Sequence, residues 1–113
     1  MTREQEFEAR LKGLAGHDAA LLVKALTKYG DSWRKRGGWE AFANLSRKWD
    51  RIERSAERYG RDIFAACEKE CATDGTIDGK DSLLDDIGDL RRYLMLVEEF
   101  VTRPDPIYRE PQS

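Results

Sequence analysis

The stretch WEAFANLSRKWDRIERSAERY, residues 39–59, decides the fold of this chain. Its apolar residues recur at intervals of three and four, which places them along one side of an α-helix that ends before Gly60. They are Phe42, Leu45, Trp49, Ile52, Ala56 and Tyr59. Residues 83–101 repeat the pattern after a helix cap at Asp81 or Ser82, with a stripe of Leu83, Ile87, Leu90, Leu94, Val97 and Val101. No segment alternates as a strand does, so two long helices predict an all-α, antiparallel helical bundle.

Shorter elements complete the predicted bundle. Residues 3–13 predict a short helix, and Asp18 is placed to cap a second one that runs to Lys28. Its buried side would carry Leu21, Leu22, Ala25 and Leu26. Turns are expected at Gly30 and at Gly37-Gly38, a short helix at residues 61–70, and a loop at residues 71–81. All three prolines follow residue 103, so we predict one domain over 1–103 and an extended tail over 104–113.

Composition excludes several classes of protein. The 113 residues carry 20 Lys and Arg against 22 Asp and Glu, a net charge of -2, whereas general nucleic-acid binders are usually basic. No apolar run approaches the roughly 20 residues of a membrane span. With two cysteines and no signal pattern at the N-terminus, a cytoplasmic location is expected. We predict that Cys67 and Cys71 are two small buried thiols and not a zinc site. His17 is predicted to be a turn residue.

Carboxylates lie beside both apolar stripes. Asp86 falls within the apolar arc of the last helix and Asp89 lies one turn further on, whereas Asp85 points about 100° away from Asp86. On the other long helix Asp50 and Glu53 follow one edge of the stripe. Packing the stripes together would gather four carboxylates, whose repulsion Mg²⁺ or Mn²⁺ would relieve. The alternative is that these acidic pairs are solvated, as such pairs commonly are on helix surfaces.

Basic and aromatic residues are concentrated between the predicted helices. The segment KYGDSWRKRGGW, residues 28–39, offers Lys35 and Arg36 for phosphate oxygens and Trp33 for stacking on a base. Lys48 and Arg51 lie on the other edge of the long helix and suit phosphate contacts as well. The alternative is a solvated basic turn whose tryptophans close the end of the bundle, with Lys48 and Arg51 paired to glutamates.

Three runs of residues carry a family resemblance: YGDSWRKRGG, RKWDRIE and DDIGDLRRYLML. Together they resemble small phage and prophage proteins of the MazG-like all-α nucleoside triphosphate pyrophosphohydrolase superfamily, in the nucleotide-modification-associated branch. The resemblance covers residues 28–100. That superfamily binds Mg²⁺ through ExxE on one helix and ExxD on the next. Asp86 and Asp89 match ExxD, and Asp50 and Glu53 match ExxE, although each pair begins with Asp in place of Glu. Glu57 is an alternative to Asp50 as a ligand, and Asp85 an alternative that would share the role of Asp86.

The resemblance implies a metal-dependent enzyme that cleaves an NTP or dNTP to the monophosphate and pyrophosphate. Asp50, Glu53, Asp86 and Asp89 would hold Mg²⁺ or Mn²⁺, and Asp50 or Glu53 would orient the attacking water. It also implies a purine substrate such as (d)GTP, a dimer or tetramer, and the host cytoplasm if the gene belongs to a phage. Two alternatives stay open: a non-catalytic helical interaction module, and a single-strand nucleic-acid binder, which the pI of about 5.5 disfavours.

Overall fold

The chain is described by a computed structural model over residues 1–71 and 83–104. These ranges contain four α-helices, α1 (Arg3–Tyr29), α2 (Gly38–Glu57), α3 (Ile63–Cys71) and α4 (Leu83–Val101), with one 3₁₀ turn at Ser32–Arg34 and no strand. The predicted all-α class is confirmed. Most of the predicted loop at 71–81, the cap at Asp81 or Ser82 and most of the tail lie outside the described residues. The chain divides into two compact units, Met1–Ser32 and a second unit that starts at Trp33; the single domain over 1–103 stays a prediction.

The first unit is built on one continuous helix, so the prediction of two separate helices was wrong. Thr2 and Gln5 form a capping box: the Thr2 hydroxyl accepts from the Gln5 amide at 3.1 Å and Gln5 accepts from the Thr2 amide at 2.8 Å. Gly13 and Gly16 lie inside the helix, where each costs only about 1 kcal/mol relative to Ala. Asp18 is a buried mid-helix residue and not a cap.

Two further predictions for α1 need correction. Leu21 and Leu26 were expected on its buried side but are 37% and 54% exposed. His17 is an exposed helical residue rather than a turn residue. The helix ends where expected, at Gly30, whose φ of 61° falls in the left-handed region that glycine adopts at little cost.

In the second unit, α2 and α4 are antiparallel. Asn44 contacts Tyr93 and Lys48 contacts Asp89, so partner numbers on α4 fall as those on α2 rise. The core lies further along the pair, where Ile52, Leu83 and Ala66 of α3 are buried. Five half-buried apolar residues pack against it: Tyr59, Ile63, Cys67, Ile87 and Leu90.

The two apolar stripes are therefore only partly covered. Ile52 and Leu83 are buried as predicted, whereas Phe42 and Trp49 of the α2 stripe are 70% and 53% exposed. The predicted buried thiol of Cys67 is half-buried against the core. None of the helices in the described ranges combines the length and apolarity needed to cross a membrane.

Local polar contacts fix the ends of α3 and α4. Asp62 precedes α3, and its Oδ1 accepts from the amides of Phe64 and Ala65 at 3.0 and 3.1 Å, which makes it the cap of that helix. After α4, Arg103 donates three hydrogen bonds to Glu99, at 2.7, 2.8 and 3.0 Å. Hydrogen bonding from the Arg103 guanidinium lowers the pKa of the Glu99 carboxyl.

Candidate functional site

An ion pair joins α2 to α4 within the second unit. Lys48 Nζ lies 2.6 Å from Asp89 Oδ2 and 5.3 Å from the centre of the Tyr93 ring. The side chain of Lys48 is 21% exposed and that of Asp89 is 40% exposed. Such a partly desolvated pair interacts more strongly than a pair on the open surface, because the local dielectric is lower. We call Lys48, Asp89, Tyr93 and their neighbour Asn44 the Lys48 site.

Asn44 extends this site along α2. Its amide nitrogen donates to the Tyr93 hydroxyl at 3.2 Å, and its amide oxygen accepts from Arg47. Arg47 in turn forms an ion pair with Glu40 at 2.9 Å. A chain of hydrogen bonds thus runs along one face of α2 and fixes the orientation of the Tyr93 hydroxyl. Sequence reasoning missed Asn44 and Tyr93 as site residues, although each lies four positions, one helical turn, from the predicted site residues Lys48 and Asp89.

The four carboxylates of the predicted metal cleft do not gather in one place. Asp89 pairs with Lys48, and Asp86, half-buried, lies one turn before it on α4. Asp50 is exposed on α2, and Glu53 lines a groove that Asp86 and Asp89 do not line. Lys48 and Glu53 are five residues apart, about 140° around the helix axis. Because α2 faces Asp89 with the side that carries Lys48, Glu53 points away from Asp89.

Metal binding can be tested against these donors. In the described ranges no three His, Cys, Asp or Glu side chains stand close enough together to hold a metal ion. Those ranges therefore contain no preformed centre made only of protein ligands. Mg²⁺ commonly needs only one or two carboxylates when substrate phosphates supply further oxygens. Asp86 and Asp89, one helical turn apart on α4, are the two carboxylates that such an arrangement would use. Asp85 is more exposed than Asp86, as the sequence predicted.

The predicted phosphate-binding cations occupy different surroundings. Lys35 and Arg36 are exposed in the turn before α2, and Arg51 is exposed on α2 itself. Lys48, by contrast, is 21% exposed and pairs with Asp89 in the Lys48 site. Arg34 is only 8% exposed, with its guanidinium carbon 4.4 Å from the centre of the Phe100 ring. The basic turn therefore exposes the long side chains of Lys35 and Arg36 to solvent and packs Arg34 against Phe100 of α4.

Trp33 connects this turn to the Lys48 site. Its ring meets Tyr93 edge-on, with centres 5.7 Å apart, and Phe100 at 6.0 Å. It also lines a cavity of about 330 Å³, which we call the Trp33 cavity. The other walls are apolar or glycine apart from Arg34: Gly37, Gly38, Ala41, Phe42, Leu45, Val97, Phe100 and Val101. Its volume lies at the lower end of the range for small-molecule pockets.

A larger, separate concavity of about 760 Å³ runs between α2 and α4, and we call it the α2–α4 groove. Apolar side chains form its floor and walls: Trp49, Ile52, Ala56, Ile63, Ile87, Leu90, Leu94 and Met95. Charged side chains of both signs complete it: Glu53, Glu57, Arg61, Arg91 and Glu98. Two of the candidate site residues, Glu53 and the alternative ligand Glu57, thus belong to an apolar groove.

Comparison with family models, with curated proteins and with solved structures finds no match to this chain.

Proposed function

We propose that this chain is a metal-dependent nucleoside triphosphate pyrophosphohydrolase of the MazG-like kind, which converts an NTP or dNTP to the monophosphate and pyrophosphate. The observation that supports it is the partly buried Lys48–Asp89 pair between α2 and α4, with Asp86 one turn away. A partly desolvated cation beside one carboxylate, with a second carboxylate one helical turn away, would suit both parts of a metal–triphosphate substrate. The proposal includes (d)GTP as the first substrate to test and a homo-oligomer of two or four chains.

In this proposal the residues of the Lys48 site exchange partners when substrate binds. Lys48 moves from Asp89 to a phosphate oxygen, since phosphate offers it more negative charge than one carboxylate. Asp86 and Asp89 would hold Mg²⁺ or Mn²⁺, which supplies charge neutralisation and a more acidic bound water. Lys35, Arg36 and Arg51 would balance charge on the departing pyrophosphate from the exposed side.

The chemical step is the attack of a water oxygen on the α-phosphorus, with cleavage of the bond from that phosphorus to the α–β bridging oxygen. The water proton passes to a carboxylate, and the electron pair of the broken bond leaves with pyrophosphate. Asp50 and Glu53 were predicted as the carboxylates that orient this water. Those two roles stay predictions, and the position of Glu53 in the α2–α4 groove makes Asp89 a competing base.

The Trp33 cavity is the proposed place for the base. It opens beside Trp33, whose edge touches Tyr93 of the Lys48 site, so a nucleotide would span the two places in one pose. Flat apolar walls suit a nucleobase, and Arg34 is the cation among them. In this proposal Trp33 contacts the base, as the sequence predicted. It does so as one wall of the cavity and not as an exposed ring on which the base stacks.

The test is turnover by the full chain. Each NTP and dNTP is incubated with Mg²⁺ or Mn²⁺, and monophosphate and pyrophosphate are quantified; we expect equal amounts of the two for at least one nucleotide. Asp89→Asn should lower kcat/KM by at least about 100-fold, since the change removes a carboxylate from the proposed metal and phosphate contacts. Glu68→Gln, which alters an exposed carboxylate on α3, is the matched control and should match wild type.

Further variants separate the roles of the carboxylates. Unchanged turnover by Glu53→Gln would remove Glu53 from the mechanism and leave Asp50 and Asp89 as the candidate bases. If no nucleotide is hydrolysed with either metal, the enzyme proposal is wrong. The second candidate, a non-catalytic interaction module, would then gain, because the exposed apolar walls of the α2–α4 groove favour it independently.

A further inference from the structure

We propose that the ring of Tyr93 is a second holder of the Lys48 ammonium group, which keeps this cation in place for a substrate phosphate once Asp89 has turned to a metal ion. Asn44 holds the Tyr93 ring in turn. Both are positioning residues, since neither is assigned a contact with substrate. The inference rests on the proposed function, because it concerns the cation that this function places on a phosphate oxygen.

Within the described residues two contacts hold the Lys48 ammonium group, and the proposed reaction affects them differently. Its Nζ lies 2.6 Å from Asp89 Oδ2 and 5.3 Å from the centre of the Tyr93 ring. A metal ion bound by Asp89 would remove the first contact when the cation is needed. Mg²⁺ takes oxygen ligands and not the face of an aromatic ring, so the second contact stays.

The ring contact also leaves the charge of Lys48 available to a phosphate. A carboxylate competes with phosphate for an ammonium group, because both carry negative charge. An aromatic ring has no net charge and attracts a cation through its quadrupole, over roughly 6 Å from the ring centre. Lys48 held by Tyr93 alone should therefore bind a phosphate oxygen more strongly than Lys48 paired with Asp89.

The Tyr93 ring is itself fixed at two points. It is 8% exposed, and the ring of Trp33 meets it edge-on with centres 5.7 Å apart. Its hydroxyl accepts a hydrogen bond from the amide nitrogen of Asn44 at 3.2 Å, across the contact between α2 and α4. A ring held by its neighbour and by its hydroxyl keeps its face toward Lys48.

The orientation of the Asn44 amide follows from its second hydrogen bond. Arg47 Nη2 donates to Asn44 Oδ1, and a guanidinium group can only donate. The amide oxygen therefore faces Arg47, and the amide nitrogen faces the Tyr93 hydroxyl. Glu40 holds Arg47 by an ion pair at 2.9 Å. A residue without an amide nitrogen at position 44 loses the donor to Tyr93.

The first experiment needs no nucleotide. Asp89→Ala removes the carboxylate that pairs with Lys48 and leaves the Tyr93 ring. Protons that lie over an aromatic ring give NMR signals shifted upfield, so the Hε signals of Lys48 report the ring contact. In wild type and in Asp89→Ala we expect them upfield of those of Lys69, an exposed lysine on α3. Loss of the upfield shift in Asp89→Ala overturns the proposal, because the ring would then not hold Lys48 by itself.

The second experiment measures kcat/KM of the full chain with Mg²⁺ and a nucleotide that wild type hydrolyses. Tyr93→Leu removes the ring and should lower kcat/KM by at least about 10-fold. Tyr93→Phe keeps the ring and loses only the hydrogen bond to Asn44, so it should lower kcat/KM by about 3-fold. Asn44→Ala removes the same bond from its other end. It should cost the same factor, and the double variant no more than either single one.

Tyr29→Leu is the matched control. The Tyr29 ring centre lies 5.2 Å from Lys28 Nζ, which is the same kind of contact on α1. This variant should keep the kcat/KM of wild type. Melting temperatures establish that each variant is folded in the assay; if Tyr93→Leu is not, Tyr93→Phe, Asn44→Ala and the NMR signals carry the test.

The outcomes separate this inference from the proposed function. Turnover by wild type with unchanged kcat/KM in Tyr93→Leu overturns the positioning role and leaves the proposed function standing. Additive losses in the double variant of Tyr93→Phe and Asn44→Ala also overturn it, since the two residues would then not act through one bond. A wild type that hydrolyses no nucleotide overturns the proposed function, and this inference with it.

Discussion

Lys48 combines an ion pair to Asp89 with a position over the Tyr93 ring. Each contact limits the rotamers of a side chain that has many when it is exposed. The ammonium group is therefore held where α2 faces α4. In the proposed mechanism, a substrate phosphate would draw Lys48 away from Asp89 and leave that carboxylate open to a metal ion. The proposal therefore couples phosphate binding to metal binding through one cation.

Gly88 is the residue at which a small change should stabilise the chain. It lies inside α4, and a Cβ built there would come within 2.9 Å of Nη1 of Arg92, the flexible end of a side chain. Replacing glycine by alanine in a helix is worth roughly 0.5–1 kcal/mol. We expect Gly88→Ala to raise the melting temperature, measured by circular dichroism, once the Arg92 guanidinium shifts aside.

The Arg92→Ala background serves as the control for this prediction. With the guanidinium removed, Gly88→Ala should stabilise at least as much as it does in wild type. A lower melting temperature for Gly88→Ala in wild type alone would show that Arg92 cannot move, and the prediction would be wrong.

The cap of α3 is a testable feature at the scale of one element. Asp62 Oδ1 accepts from the amides of Phe64 and Ala65, donors that no helical carbonyl can reach. Asp62→Ala should cost about 1 kcal/mol of the free energy of unfolding, measured in urea, because two amides lose their acceptor. Asp62→Asn keeps an acceptor oxygen and should retain most of that stability. Equal losses in both variants would contradict a capping role and point to the charge instead.

Helix periodicity predicted α2 and α4 closely because their apolar spacing extends over five turns. It failed for α1, where a helix was expected to stop at residue 13 and Asp18 was expected to cap a second one. Those signals are local preferences of about 1 kcal/mol, and the run of good helix formers around them outweighs each one. The true cap at Thr2 carries the same chemistry, with Gln5 three residues later completing it.

For the whole molecule, ligand binding gives a prediction that separates an enzyme from an interaction module. A nucleotide triphosphate with Mg²⁺ should raise the melting temperature, since a ligand that binds only the folded state stabilises it by about 2.7 kcal/mol at 100 times its Kd. The measurement is a thermal scan at fixed protein concentration. Lys48→Met should abolish the shift, whereas Lys69→Met, at an exposed lysine on α3, should keep it. No shift in wild type with any nucleotide would favour the interaction module.

The candidate site was only partly predictable because a sequence fixes angles around one helix and not the rotation of two helices against each other. Asp86 and Asp89 were assigned to one face of α4, and Asp86 is half-buried there. The side of α2 that meets Asp89 carries Lys48, whereas the prediction gave that side to Asp50 and Glu53. A rotation of α2 by about 140° separates the two arrangements. Only the packing of bulky residues such as Tyr93 selects between them.

The ring of Phe100 brings the start of the second unit close to the end of α4. Trp33, at the start of that unit, lies edge-on to that ring, Arg34 covers it at 4.4 Å, and Arg103 approaches it at 5.3 Å. Polypeptide segments whose first and last residues are neighbours tolerate being spliced head to tail. A short linker from Arg103 to Trp33 should therefore permit circular permutation of residues 33–103, with new termini opened between α2 and α3.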